Sequence, residues 1–420
     1  MKKKLFLTIF GLLSLLITTT SNAQIIADNV SIQPGYTNQT YYNMGIGTLS
    51  SVSNTDWDLG FQLRGFPASI IINSKNNVHL YKANKDVSQW STMTAADTAG
   101  LLNIPNELFN SDTSWDWGAF NITGDTSNAF DLGWGLYDPP SHFVIGDSLY
   151  FIKLANGSFK KLWIESLQTG TYFFRTADLD GSNEVLASLV KSNYAGKYFA
   201  YHSIVNNINI DREPVYNAWD LVFTQYLTHT PFTYKVAGVL SNDSVNVARA
   251  YPVDVITAGA YSAPYRYAIN AIGFDWKTYD MNTNSWVIED SLVYFIEARN
   301  KSVWKMIFTG FAGSATGTYY FTKELVGTVS VDEVASTQIL SAYPNPAGNM
   351  VQVLINSNNA SDQNYELVDV LGKVVQGSSL PTSIGFTNLN LNISSLNNGI
   401  YFLRIGNANQ FSTQKIVVQH

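Results

Sequence analysis

From Gln24 onward the apolar positions fall in short runs rather than at helical spacing. Segments such as 149–154 (Leu-Tyr-Phe-Ile-Lys-Leu) and 292–298 (Leu-Val-Tyr-Phe-Ile-Glu-Ala) are aromatic and β-branched and bounded by turn residues, which predicts strands. Long amphipathic helices are not evident. Asn156-Gly157 separates the runs 148–154 and 158–167, and because both residues tolerate positive φ it predicts a hairpin there. The runs are almost continuously apolar rather than alternating. Both faces of each strand are therefore expected to be buried, in a sandwich or a tightly rolled barrel. The expected class is all-β.

The chain also repeats itself. Ala218-Trp219-Asp220-Leu221-Val222-Phe223 echoes Asp56-Trp57-Asp58-Leu59-Gly60-Phe61. Four further matches follow in the same order: Trp134 to Asp138 with Trp276 to Asp280, Asp147 to Ile152 with Asp290 to Ile296, Lys161-Leu-Trp163 with Val303-Trp304-Lys305, and Thr169 to Phe174 with Thr316 to Phe321. The first step is 77 residues in one segment (57 to 134) and 57 in the other (219 to 276), so the first segment carries about 20 extra residues, placed within 85–125 as a loop or added hairpin. The Trp-Asp pair is expected to be structural. Alternation puts the two side chains on opposite faces, the indole buried and the carboxylate accepting backbone N–H groups of a neighbouring turn. Catalysis by Asp58 or Asp220 would need a second positioned carboxylate, and the sequence singles none out.

Composition narrows the function classes. The 420 residues are 45% hydrophobic and 14% aromatic but only 14% charged, with a net charge of -7. A disordered, collagenous or coiled-coil chain is excluded. Nucleic acid is not an expected partner, since binding a phosphate backbone needs a basic surface. Residues 1–23 read as a signal peptide: Lys2 to Lys4, an apolar run from Leu5 to Ile17 too short to span a bilayer, then small residues at Ser21 and Ala23. No later stretch is long and apolar enough to span, so no transmembrane segment is expected after cleavage. There is no cysteine, hence no disulfide framework and no thiolate metal site.

From about Ser336 the texture changes to short strands separated by Asn, Ser and Gly. Tyr343-Pro344-Asn345-Pro346 opens this part, Tyr365 to Lys373 with Gly372-Lys373 at its end follows, and Gly399-Ile-Tyr401-Phe-Leu-Arg404 and Thr413-Gln-Lys415-Ile-Val-Val418 close it. These motifs resemble the type A sorting domain of the type IX secretion system of Bacteroidetes. The resemblance implies an immunoglobulin-like β-sandwich, handling by type IX secretion machinery, and release from the cell or attachment to its outer surface.

The order of the duplicated segments, an aromatic strand, Trp-Asp-Leu-x-Phe, a Tyr-containing loop, a Tyr-Phe-Ile hairpin and Lys-x-x-aromatic, resembles the HmuY family of surface haem-binding proteins. The implied organisation is a signal peptide (1–23), two tandem HmuY-like antiparallel β domains (24–195 and 196–330), a linker (331–336) and the sorting domain (337–420). The resemblance implies haem as cofactor, held by two axial side chains from hairpin loops. In this chain the corresponding loops offer Tyr137 and His142 in the first segment and Tyr279 and Met281 in the second, and no second ligand falls in a motif. A structural, adhesive or glycan-binding surface module without haem ligands stays open beside this reading. Ten Trp and 24 Tyr raise sugar binding, although aromatics in strands usually belong to cores. Asp178 to Glu184 is similar to a calcium loop but lacks ligands at its first and twelfth positions, Thr176 and Ala187, so a Gly-centred hairpin turn is the better reading. No phosphate-loop, zinc-protease or hydrolase-elbow string occurs, and no enzymatic activity is expected.

Overall fold

The structure, a computed structural model, describes residues 24–328, 337–357, 362–370, 372–381, 385–407 and 410–420. The expected signal peptide and linker lie outside the described residues. The chain divides into two compact units, with the break after Thr328. Among the described residues the regular elements are β-strands and short 3-10 turns, and the all-β class holds.

In the first unit the duplication is visible strand by strand. One copy has a large antiparallel sheet in the order Val185–Val190, Thr171–Asp178, Phe159–Gln168, Leu149–Lys153, His79–Lys82, Glu107–Leu108, with the hairpin Gly135–Asp138 and Phe143–Gly146 attached to Phe159–Gln168. The other has Ile26–Ser31, Thr318–Thr328, Ser302–Phe311, Val293–Glu297, Asn246–Ala250, Tyr265–Arg266. Each large sheet packs on a four-stranded small sheet: Ile208–Ile210, Phe199–Ser203, Leu59–Gln62, Ile70–Ile72 in the first copy, and Gly47–Ser53, Asn38–Asn43, Leu221–Thr228, Tyr234–Ser241 in the second.

The copies are not the contiguous stretches 24–195 and 196–330 expected from the order of the matches. Strands Ile26–Ser31 and Asn38–Asn43 pair with Thr318–Thr328 and Leu221–Thr228, while Phe199–Ser203 pairs with Leu59–Gln62. The first copy therefore spans about 54–212, and the second combines 213–328 with 26–53. The reason is topological: each copy needs an edge strand and a hairpin after its Thr-Gly-Thr-Tyr strand. The first takes them from 185–210, and the second takes them from the amino-terminal segment. Val30, Ile32, Tyr42 and Met44 accordingly lie in one core with Phe223, Trp276 and Phe321. Lys323 fastens this segment, donating to the Tyr42 hydroxyl at 2.5 Å and the Met44 carbonyl at 3.0 Å, with Asp28 Oδ2 at 3.2 Å.

The length surplus of the first copy is split rather than single. Leu80 lies 28 positions before its sheet partner Leu108, against 19 from Val247 to Arg266. From Leu108 to Trp134 the chain takes 26 steps, against 10 from Arg266 to Trp276. A longer small-sheet hairpin in the second copy offsets part of this. The register also shifts one sequence match: Tyr150 faces Leu162 and Tyr294 faces Met306, so Lys161 corresponds to Lys305 and not to Val303. The hairpin at Asn156-Gly157 forms, but positive φ is needed only at Gly157 (85°), while the Leu154 N–H bonds the Ser158 carbonyl. The Asp178 to Glu184 segment is the expected hairpin turn, with Gly181 at φ 87° and its N–H on the Asp178 carbonyl.

The described residues of the second unit form a seven-stranded sandwich. One sheet is ordered Thr337–Tyr343, Met350–Ser357, Gly385–Asn392; the other Val374–Pro381, Asp362–Val368, Gly399–Asn407, Gln410–Val418. First, second and fifth strands thus face fourth, third, sixth and seventh, an immunoglobulin-like order. Alternation along Met350–Ser357 sends Val351, Val353 and Ile355 inward against Leu367, Leu403 and Ile416.

Candidate functional site

The near-continuous apolar strands of the small sheets serve two cores. Leu59, Phe61, Ile70 and Ile72 face the interior of the first copy, while Ile71, between them, faces outward with Trp57, Phe199 and Tyr201. In the second copy Leu221, Phe223 and Tyr42 point inward and Tyr41, Trp219, Val222 and Leu240 point outward. The two outward faces line one shared cavity of about 90 Å³.

Each Trp-Asp motif builds one wall. Tyr201 meets Trp57 edge-on at 4.8 Å and Tyr41 meets Trp219 edge-on at 5.2 Å, so the aromatic pairs are equivalent. The adjoining carboxylates hold the hairpin behind each wall. Asp58 Oδ2 accepts the Ile204 N–H at 2.7 Å, and Asp220 Oδ2 accepts the Met44 N–H at 2.8 Å. Burial pushes both carboxyls above the usual range, and their backbone donors oppose that shift. The structural role expected for the pair is the observed one.

What breaks the equivalence is the longer loop of the first copy. Its residues 110–116 cross to the second copy, where Trp115 Nε1 donates to the Ser241 carbonyl at 2.9 Å, the Thr113 carbonyl accepts the Ile269 N–H at 3.1 Å, and the Asn110 carbonyl lies 2.9 Å from His229 Nε2. Trp115 packs against both aromatic clusters and closes one side of the cavity.

At the wall of the cavity Glu213 gathers both halves. Its carboxylate accepts the hydroxyls of Tyr41 (3.2 Å) and Tyr201 and the N–H groups of Tyr198 (3.2 Å) and Phe199 (3.0 Å). Burial pushes the carboxyl up and both tyrosine hydroxyls well up, so the phenols stay protonated and donate. Lys75, on the 3-10 turn Ser74–Asn76, donates to Gln39 Oε1 and, at 3.1 Å, to Thr224 Oγ1. Burial holds its ammonium well below the ordinary lysine value.

The four haem-ligand candidates occupy neither this cavity nor one another's neighbourhood as a set. Tyr137 and His142 share the hairpin Gly135–Asp138 and Phe143–Gly146, where the phenol lies 2.7 Å from His142 Nδ1. Tyr279 lies on the corresponding hairpin of the second copy, packed on Trp286 at 5.2 Å, and the Met281 side chain is 83% exposed beyond it. The other histidines are engaged locally: His79 with Glu107 at 2.6 Å, His202 with Asn209 at 2.8 Å, His229 with Asn110 and Thr233, and His420 with Leu396. Among the described residues no cluster of three or more His, Asp or Glu is arranged to hold a metal ion.

The sorting motifs have a legible physical basis. Pro344 and Pro346 cannot donate backbone hydrogen bonds, and the Asn345 side chain between them pairs with the last strand instead. It donates to the Lys415 carbonyl and accepts the Val417 N–H, each at 2.8 Å. Gly372 takes φ 83° in the turn closed by Asp369 and Lys373. Gly399 opens its strand, and Tyr401 is buried with its hydroxyl on the Asn397 carbonyl at 2.9 Å. Tyr343 and Lys415 expose their side chains.

Sequence reasoning did not find the cavity. Its residues come from both copies and from an insertion, so no local motif marks them. The signals available were Trp57 and Trp219 themselves, the surplus around Trp115, and strands too apolar for a sheet with one wet face.

Residues 341–419 match the secretion system C-terminal sorting domain family. No curated protein matches the sequence. Among solved structures the chain is similar to the dimeric latent PorU of Porphyromonas gingivalis, at 11% identity and a TM-score of 0.18, over 66% of this chain and 31% of that one. It is also similar to the BSP domain of a biofilm associated protein, at 8% identity and a TM-score of 0.17, over 66% of this chain and 78% of that one. The chain spans about a third of the length of the PorU chain. With its type IX sorting domain the protein is exported, and it is secreted or attached at the outer cell surface. Among the described residues no helix is long and apolar enough to cross a membrane.

Proposed function

We propose that the first unit is a non-catalytic binding module, carried outside the cell by the sorting domain, and that the cleft between its two copies receives one small ring. The observation that carries this reading is the pair of equivalent aromatic walls, Trp57 with Tyr201 and Trp219 with Tyr41, facing one cavity that the Trp115 loop closes from a single side. An apolar, aromatic concavity with a few polar groups at its edge is the usual form of a small-molecule site. Its volume of about 90 Å³ is of the order of the engineered apolar cavities, roughly 150 Å³, that admit benzene. A haem macrocycle gains no support from this cleft, because none of Tyr137, His142, Tyr279 and Met281 lines it. The paired carboxylates Asp58 and Asp220 are occupied with backbone N–H groups, which favours binding over acid–base chemistry.

The test is a titration of the full-length protein with benzyl alcohol, followed by tryptophan emission, with Leu240→Phe and Ile71→Phe as cavity-filling variants. A saturable change that both variants abolish supports the reading. A change that does not saturate, or that survives in both filled variants, refutes it.

A further inference from the structure

We infer that the ring bound in the cleft carries a carboxylate and that Lys75 receives it. This rests on the proposed ring site and adds the charge of its ligand. Lys75 enters the cavity wall with two neutral acceptors, Gln39 and Thr224, and among the described residues its third N–H has no acceptor. Among the described residues no carboxylate lies within ion-pair distance of its ammonium, although ammonium groups taken out of water are normally paired.

Two acids in the cavity wall, Glu213 and Asp112, hold hydrogen-bond donors of their own. Glu213 is taken by two phenols and two backbone N–H groups, and Asp112 accepts the Thr228 hydroxyl at 3.2 Å and the His229 N–H at 3.4 Å. A second cation stands behind the same wall. The Arg212 guanidinium lies 5.5 Å from the Trp57 ring and 4.9 Å from that of Tyr201, is 7% exposed, and leaves Nε and one terminal nitrogen without a hydrogen-bond acceptor. The Asp56 carboxylate lies 3.7 Å from its Nε. The Lys75 ammonium itself lies 5.6 Å from the centroid of the Trp57 ring. A ring seated between the tryptophans therefore has its polar end within reach of the open N–H of Lys75. A carboxylate there would take that N–H and gain a charge-assisted bond in a desolvated place.

Three probes with one ring separate the possibilities: benzoate, benzamide and benzylamine, titrated into the full-length protein by calorimetry. Benzoate is expected to bind at least about tenfold tighter than benzamide, with benzylamine weakest. Lys75→Met should bring benzoate to the benzamide level while benzamide changes by less than about threefold, which also reports that the cleft is intact. Lys75→Arg should keep part of the preference. Equal affinity for benzoate and benzamide, or a preference that survives Lys75→Met, overturns the inference and leaves the ring site standing. Failure of all three probes to bind overturns the inference and the ring site together.

Discussion

Deleting residues 24–55 should unfold the second copy, whereas moving them behind Thr328 should not. Val30, Ile32, Tyr41, Tyr42 and Met44 are each no more than 2% exposed, and all lie in that segment. At roughly 1.5–3 kcal/mol per buried large side chain, their loss removes about 8–15 kcal/mol. Deletion also strips Lys323 of Asp28, Tyr42 and Met44, and an uncompensated buried ammonium costs a further ~3 kcal/mol. Together these match or exceed the roughly 5–15 kcal/mol by which whole domains are stable. The permutant starts at Asp56, runs to Thr328, continues through one glycine into Gln24 and ends at the exposed Thr55. That join leaves eight residues between Lys323 and its partner Ile26, as between Thr176 and its partner Val185 in the first copy. Closing so short a loop should change stability by only about 1–2 kcal/mol. Urea unfolding followed by near-ultraviolet circular dichroism distinguishes the outcomes. The permutant should unfold cooperatively near the midpoint of residues 24–328, and the deletion should lose its aromatic signal and regain it when peptide 24–55 is added. A deletion variant as stable as the parent would refute the reasoning.

Asp58→Ala and Asp220→Ala should each lower stability in urea by about 1–3 kcal/mol, because each leaves a buried N–H, of Ile204 or Met44, without its acceptor. Lys277 should make stability depend on pH. Burial pushes its ammonium down to about 7, while its N–H groups reach the Ala237 and Phe274 carbonyls. A cation depressed on folding contributes stability above its unfolded value, near 10.4, and loses it as pH falls toward 7, so parent stability relative to Lys277→Met should drop by a few kcal/mol at most from pH 10 to pH 7. A flat difference between the two proteins over that range would contradict this. In residues 337–420, Asn345→Ala should cost about 1–2 kcal/mol of thermal or urea stability, since both of its bonds to the last strand go.

How far the fold could be read from residues depends on where the information sits. Strand character, the duplication and the terminal sandwich were legible because Trp57 and Trp219, Tyr150 and Tyr294, and the Asn345 turn fill equivalent or motif-defined places with large, specific side chains. The assignment of Ile26–Ser31 was not legible. Its sequence, Ile-Ala-Asp-Asn-Val-Ser, shares little with Val185–Val190, because an edge strand with one face toward solvent is specified by few positions. Strand pairing between residues about 290 apart leaves no local periodicity to read. The cleft was hidden for a related reason: Trp115 and Lys75 act across copies, and each belongs to a loop without a counterpart of the same type. Continuous apolar strands announced that a second buried face existed, without naming what would cover it.

A ligand held between the two copies is tested most directly by the intermolecular nuclear Overhauser contacts from the ring protons of bound benzoate in the full-length protein. Contacts to the indoles of Trp57, Trp115 and Trp219 together are predicted, and they should vanish in Leu240→Phe. Contacts confined to exposed aromatics such as Tyr261 and Tyr267, or contacts unchanged in the filled variant, would contradict a ligand held between the two copies.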